Sequence, residues 1–301
     1  MATSGNLLFD RRCRLTIATP VADKSDFHQV TSDVIEIDGG VSEQRDDAGM
    51  RVQFKINKST KKEPNTSEIT VTNLSGSRRA SLQQKDVKLL LEAGYKEMGV
   101  NRYFSGDVRT VDHVRQKADW ETLLKLGDGE RAWKYARVYA SFSVGTRAED
   151  VLKTLARGMG LKLGNVDKQA SSLTSVLDQG YAVAGNAARG LDQFVKSLRK
   201  TWSVQDDELQ ILDPYETLDL PIPDITPDTG LIGSPEMGSP PTKGKPQLVK
   251  FQSLLIPVKP GSKVKLKSSR YDGYVRVQAC SFEGDTHGGP WYTTISGVLL
   301  R

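Results

Sequence analysis

Apolar and polar residues alternate with a period of two through both ends of this chain, and that repeat constrains the fold more than any other feature. Arg12 to Ala18, Ser32 to Ile37 and Arg51 to Ile56 each place apolar side chains on one face, as half-buried strands require. Asp38-Gly39-Gly40 and Asp46 to Gly49 supply turn chemistry between them. Further strands are predicted at Ser67 to Thr72, Val87 to Glu92, Arg102 to Arg109 and Ala118 to Leu126, with a short helix from Arg78 to Gln83 and a charged turn at Gly127-Asp128-Gly129. Many short strands with frequent turns point to a barrel or sandwich.

With 301 residues, the chain exceeds what one core usually absorbs, so two or three domains are expected. Its apolar runs fall short of the ~20 residues that cross a bilayer as a helix, so no membrane insertion is expected. No positive cluster followed by an apolar run opens the chain, so no secretory signal is read and synthesis is expected to end in the cytosol. Cys13 and Cys280 then read as buried thiols rather than a disulfide. With only His28, His113 and His287 to join them, and no paired spacing, they do not make a zinc site. A net charge of +5 is too mild to indicate a DNA-coating or membrane-surface protein.

The middle changes character and contains a repeat. Gly145 precedes Thr146 and Glu149, which are read as a capping box opening a helix. Val151, Leu152, Leu155, Ala156 and Met159 form its apolar stripe. Forty residues later the same grammar returns: Gly185, then Asn186 as the cap, then Leu191, Phe194, Val195 and Leu198 on one face. Gly145 aligns with Gly185, Ala148 with Ala188, Val151 with Leu191 and Leu155 with Val195. Two copies are too few for a solenoid, so a paired strand-helix domain is expected. Trp202 to Gln205 and Leu209 to Leu212 follow as a hairpin around Asp206-Asp207-Glu208.

The last third returns to strands. Eight of the thirteen prolines lie between Pro214 and Pro246, which predicts an extended connector or irregular strands. Charge is segregated around it. Thr201 to Gly238 carries nine acidic side chains and no lysine or arginine, and Lys243 to Arg270 carries eight basic ones and no acid. That layout is read as two solvated loops of opposite sign, with an oppositely charged partner as the alternative. Strands are expected at Val249 to Val258, Val264 to Lys267, Tyr274 to Phe282 and Trp291 to Val298.

Two features suggest chemistry. Gly284-Asp285-Thr286-His287-Gly288 looks like a metallophosphoesterase turn, but a two-metal centre needs several more ligands. Asp112-His113 lacks the usual spacer, and Gly185-Asn186 is followed by alanine. The string therefore reads as a tight turn, with Gly284 and Gly288 giving backbone freedom, Asp285 and Thr286 bonding nearby amides, and Trp291 entering the core. Lys263, Lys265 and Lys267 share one strand face, either as a solvated edge or as the wall of a lumen or interface. Trp120, Trp133, Trp202 and Trp291 read as core or interface fillers. No nucleophile elbow or phosphate loop is present, and no catalytic residue, bound metal or cofactor is expected.

Three segments together resemble the baseplate hub proteins of contractile-tailed bacteriophages, the late-control-D-like group related to the hub part of type VI secretion spikes. The first is Val71 to Ser75 with Leu89 to Tyr95 and Phe104 to Val108. The second is Trp202 to Asp206. The third is Leu254 to Pro257 with Pro260 to Val264 and Gly284 to Tyr292. In order they span nearly the whole chain. The resemblance implies a mainly β protein in which two tube-like β-barrel domains flank a smaller α+β part. Residues 1–135 would form the first, 136–213 the strand-helix domain, 214–247 a Pro-rich acidic connector and 248–301 the second β domain, with strands from the connector. It further implies a homotrimer whose six tube-like domains make a pseudo-sixfold ring between a hexameric tail tube and a trimeric central spike. Tape-measure and baseplate wedge proteins would be further partners. Viral DNA would pass through the lumen without specific binding, and the protein would be a virion component assembled in the host cytoplasm. The rival readings are a metallophosphoesterase-like hydrolase and a nucleic-acid-binding β protein.

Overall fold

The computed structural model describes residues 11–21, 31–39, 50–165, 176–213, 216–242 and 246–300. His28, the turn at 46–49 and Lys243 lie outside them. Contacts divide the chain into two compact units: one of residues 1–58, 66–127 and 220–301, the other of residues 59–65 and 128–219.

The first unit is almost entirely strands. Its N-terminal part contains β1 (Arg11–Val21), β2 (Thr31–Gly39), β3 (Val52–Ser59), β4 (Thr66–Thr72), β5 (Lys88–Tyr95), β6 (Gly99–Gln116) and β7 (Asp119–Gly127), with helix α1 (Gly76–Leu82) after β4. Its C-terminal part contains β12 (Asp224–Ile225), β13 (Leu231–Met237), β14 (Leu248–Leu254), β15 (Lys263–Lys267), β16 (Asp272–Asp285) and β17 (Trp291–Leu300). All belong to one 13-stranded sheet of order β13-β14-β17-β16-β3-β4-β7-β6-β5-β1-β2, with β15 branching from β16 and carrying β12. The period-two pattern is met directly: Val52, Phe54 and Ile56 on β3 are buried, while Gln53 and Lys55 between them are not. Leu15, Phe54, Ile69, Leu91, Leu124, Val277, Phe282 and Ile295, drawn from both ends of the chain, share one core cluster.

This corrects the expectation of closed barrels. The ladder runs as an open path from β13 to β2. Among the C-terminal strands, pairings run β12-β15-β16-β17-β14-β13. Among the described residues, the circuit returns from β13 to β12 through the chain itself, at the 3-10 turn Pro227–Thr229. The physical reason is that β16 hydrogen-bonds β3, so each set of strands finds neighbours in the other instead of closing wholly on itself.

The opposite-sign stretches also resolve here. Asp224 lies opposite Lys265 in the β12–β15 ladder, and Glu236 opposite Lys250 in β13–β14. Two of the acids and two of the bases that are blocks in sequence thus become cross-strand neighbours. Cys13 and Cys280 are buried thiols not joined in a disulfide, as expected.

The second unit holds the repeat. Strand β8 (Arg137–Phe142) leads to helix α3 (Ala148–Gly158), strand β9 (Tyr181–Asn186) leads to helix α4 (Ala187–Ser197), and β8 pairs antiparallel with β9. Short helix α2 (Glu130–Tyr135) precedes β8. The predicted stripes form the core: Val151, Leu152, Leu155, Leu191, Phe194 and Val195 are all buried. Gly145 and Gly185 both take left-handed backbone angles, φ 87° and 115°, where a side chain would be strained.

The helix starts differ. Asn186 caps α4, its side chain accepting from the Arg189 amide at 2.9 Å. Thr146 does not cap α3, so the capping box is not formed. Its hydroxyl donates instead to the Ser143 carbonyl at 2.8 Å, Arg147 occupies the cap position without a side-chain bond, and Glu149 pairs with Lys153 one turn on. The chain turns one residue later than the pattern suggests, which carries the hydroxyl out of reach of the first helical amides.

The predicted hairpin is β10 (Thr201–Gln205) with β11 (Glu208–Leu212). Asp206 and Asp207 both have positive φ, 56° and 62°, as a two-residue hairpin turn requires. Their amides donate to the buried Asp128 carboxylate at 2.7 and 2.9 Å, and the Asn65 side-chain amide joins them at 3.3 Å. Asp128, which reads as part of a charged turn, is the centre of a buried polar node.

Candidate functional site

The string that most suggested chemistry forms a clasp. Strand β16 ends at Asp285, β17 begins at Trp291, and the turn between them lies against β3. The Asp285 carboxylate accepts from Arg51 Nη2 at 2.7 Å and Nε at 3.2 Å, from Gln53 Nε2 at 3.0 Å and from the His287 amide at 3.0 Å. Its carbonyl accepts from the Arg11 guanidinium at 3.0 Å. Thr286 completes the junction: its amide donates to the Val52 carbonyl at 3.1 Å, and its hydroxyl accepts from the Val52 amide at 3.0 Å.

Packing explains the glycine. A Cβ on Gly284 would lie 2.2 Å from the Phe54 ring, so this glycine provides close approach rather than an unusual backbone angle. The turn's left-handed positions are Gly288 and Gly289, φ 131° and 68°. Trp291 is buried, meets Phe54 edge-on at 5.5 Å between centroids, and carries the Arg11 guanidinium 5.4 Å from its ring centre.

Electrostatics holds Asp285 ionised. Burial pushes its pKa up, but the Arg51 hydrogen bonds, the His287 amide, the Arg51 charge and the Gln53 amide outweigh it and leave the carboxyl below its ordinary value. Arg51 is correspondingly raised, chiefly by its bond to Asp285. A carboxylate committed to four hydrogen bonds is a structural anchor and has little capacity left for a ligand.

The remaining candidates do not converge on it as ligands. His287 is exposed, with Nδ1 3.0 Å from the Thr286 hydroxyl. His113 is on β6, with Nδ1 3.1 Å from the Thr122 hydroxyl. Among the described residues, no three His, Cys, Asp or Glu side chains group as metal ligands. Lys263, Lys265 and Lys267 do share the outer face of β15, with Val264 and Leu266 buried beneath. Lys263 sits 5.0 Å from the Tyr274 ring centre. Beside the clasp, Gln53, Lys55, Glu68, Thr70 and Glu283 line an open depression of about 280 Å³, with Lys55 and Glu283 paired at 2.9 Å.

Of the clasp, Asp285, Thr286 and Trp291 were legible in sequence. Arg11, Arg51 and Gln53 were not, because nothing local says which distant cation will meet a buried acid. The only signal is that a carboxylate beside a buried tryptophan demands one.

The clasp joins strands more than two hundred residues apart and so defines the arrangement to compare with known proteins. Residues 30–294 match the family model described as baseplate hub gp41. The chain belongs to that family. No curated protein sequence matches it. Among solved structures, the 43 kDa tail protein of prophage MuSo2 from Shewanella oneidensis is similar over 95% of this chain and 98% of its own, with TM-score 0.59 at 9% identity. A tail protein from Neisseria meningitidis MC58 covers 94% and 96%, with TM-score 0.56 at 10% identity. An Escherichia coli protein described as a component of the type VI secretion system covers 86% and 76%, with TM-score 0.56 at 7% identity. These likenesses show a shared fold. Family membership gives this hub a structural role in a phage tail baseplate and makes it a virion component, which is the resemblance read from the sequence. A structural family also weighs against the hydrolase reading.

Proposed function

We propose that the hub works as a homotrimer in a contractile tail, adapting the sixfold symmetry of the tail tube to the threefold symmetry of the central spike. Each subunit offers two β modules, β1 to β7 from residues 1–135 and β12 to β17 from residues 214–301. The strand-helix part, 136–213, stands between them in sequence. One observation carries this reading: both strand sets lie side by side in one sheet, locked across β3 and β16 by the Asp285 clasp. A subunit built this way presents two β modules at a set spacing, so three subunits present six. The tape-measure and wedge proteins are the further partners, DNA passes through the lumen without specific binding, and assembly takes place in the host cytoplasm.

The test is a reconstruction of the baseplate. Three copies of this chain encircling the axis between tube and spike are expected; six copies, or copies away from the axis, would overturn the proposal.

A further inference from the structure

A ring of identical subunits needs two different, complementary surfaces on each chain, because only a head-to-tail contact repeats around the axis. The described residues carry one such pair. The β8–β9 sheet is two-stranded, with one face on the core through Val138 and Val183. Its ladder sets Tyr139 opposite Ala184 and Ser141 opposite Ala182, so these four side chains share the other face, and all are exposed. Tyr139 is 79% exposed, and Tyr135 and Val144, just beyond either end of β8, are 72% and 66% exposed. Tyr139 left this open on a small sheet, with Tyr135 and Val144 open beside it, marks a binding surface rather than ordinary scatter. Arg137 lies on the same face, its guanidinium held by the carbonyls of Lys134 and Ala136 and not by a carboxylate.

The complementary element is the stretch Asp219-Leu220-Pro221-Ile222-Pro223. It has no regular structure, and it exposes Leu220 and Ile222 two residues apart, with Asp219 beside them. Proline at 221 and 223 removes the amides an inner strand would need, so the segment suits side-chain packing on a face. Its apolar pair matches the tyrosine and alanine surface, and its acid matches Arg137. In the isolated subunit both remain open to solvent.

We propose that residues 219–222 of one copy seat on the outer face of β8–β9 of the next, with Leu220 and Ile222 against Tyr139, Ala182 and Ala184, and Asp219 facing Arg137. This rests on the trimer reading above and names its interface. The contact is heterologous and closes after three subunits.

The test is crosslinking in assembled baseplates. With Tyr139→Cys and Ile222→Cys in the same chain, a short bismaleimide should give covalent dimers and trimers and no larger species, while each single variant stays monomeric; the native cysteines are buried. Arg137→Glu should lower infectious particles about tenfold, and Asp219→Arg in the same chain should restore most of them. Three copies on the axis with no crosslink, or a link made within one chain, would overturn this interface and leave the trimer standing. A reconstruction with another copy number would overturn the trimer itself, and a ladder running past trimer would overturn both.

Discussion

The two units of the hub are held together by opposite strategies. In the strand-helix unit each copy of the repeat folds one strand and one helix within about twenty residues, and the two copies then meet at the β8–β9 ladder. In the sheet unit the decisive contacts join the ends of the chain: Arg51 to Asp285, Val52 to Thr286, Phe54 to Trp291. Local grammar therefore sets each copy of the repeat in the first, while the second depends on a pairing of chain ends that no local pattern encodes. Contacts of long sequence separation also carry the greater loop-closure cost, so the sheet unit is expected to form later.

The sharpest way to separate the units is to open each core in turn. Trp291→Ala and Phe194→Ala should each cost about 3–5 kcal/mol through a cavity. The first should lower hydrogen-exchange protection in β3 and β16 and spare α4, and the second should do the reverse. Equal loss of protection everywhere would show that the two units unfold as one.

A smaller effect is expected from the clasp. Asp285→Asn removes a charge-assisted pair whose arginine is 46% exposed, so about 1–2 kcal/mol is expected in denaturant titration. Because the folded-state pKa of Asp285 is depressed, its contribution is fully present above the ordinary carboxylate value and is lost as pH falls through the folded value. Asp192, in the strand-helix unit, is also depressed: burial raises it, but bonds from Lys196, Lys62 and Trp202 outweigh that. Both units should therefore weaken in acid, and Asp285→Asn should flatten the acid limb only for the sheet unit.

The two copies of the repeat provide a finer comparison. Asn186→Ala should cost about 1 kcal/mol through the lost cap, whereas Thr146→Ala should cost under about 0.5 kcal/mol, since its hydroxyl serves only an exposed turn. Equal effects in thermal unfolding would show that Thr146 caps after all. The smallest change is His287→Asn, expected within about 0.5 kcal/mol of the parent because the ring is exposed. Unchanged yield of infectious particles would complete that check.

Sequence alone determined what short-range physics controls. Alternation at Val52, Phe54 and Ile56 assigns a strand and its buried face, and the Leu191, Phe194, Val195 stripe assigns a helix, because periodicity is a property of neighbours in the chain. The family resemblance was legible for a similar reason, through the order of its segments. Only the tertiary structure decided the partners. A period-two strand states which face it buries but not which strand it joins, since backbone hydrogen bonds are the same for every candidate neighbour. That is why β16 beside β3, and with it the open path in place of closed barrels, could not be read. Likewise a buried acid demands compensation without naming its source: Asp285 takes Arg51, Asp128 takes the amides of its own unit's hairpin, and each choice was made by where distant strands came to rest.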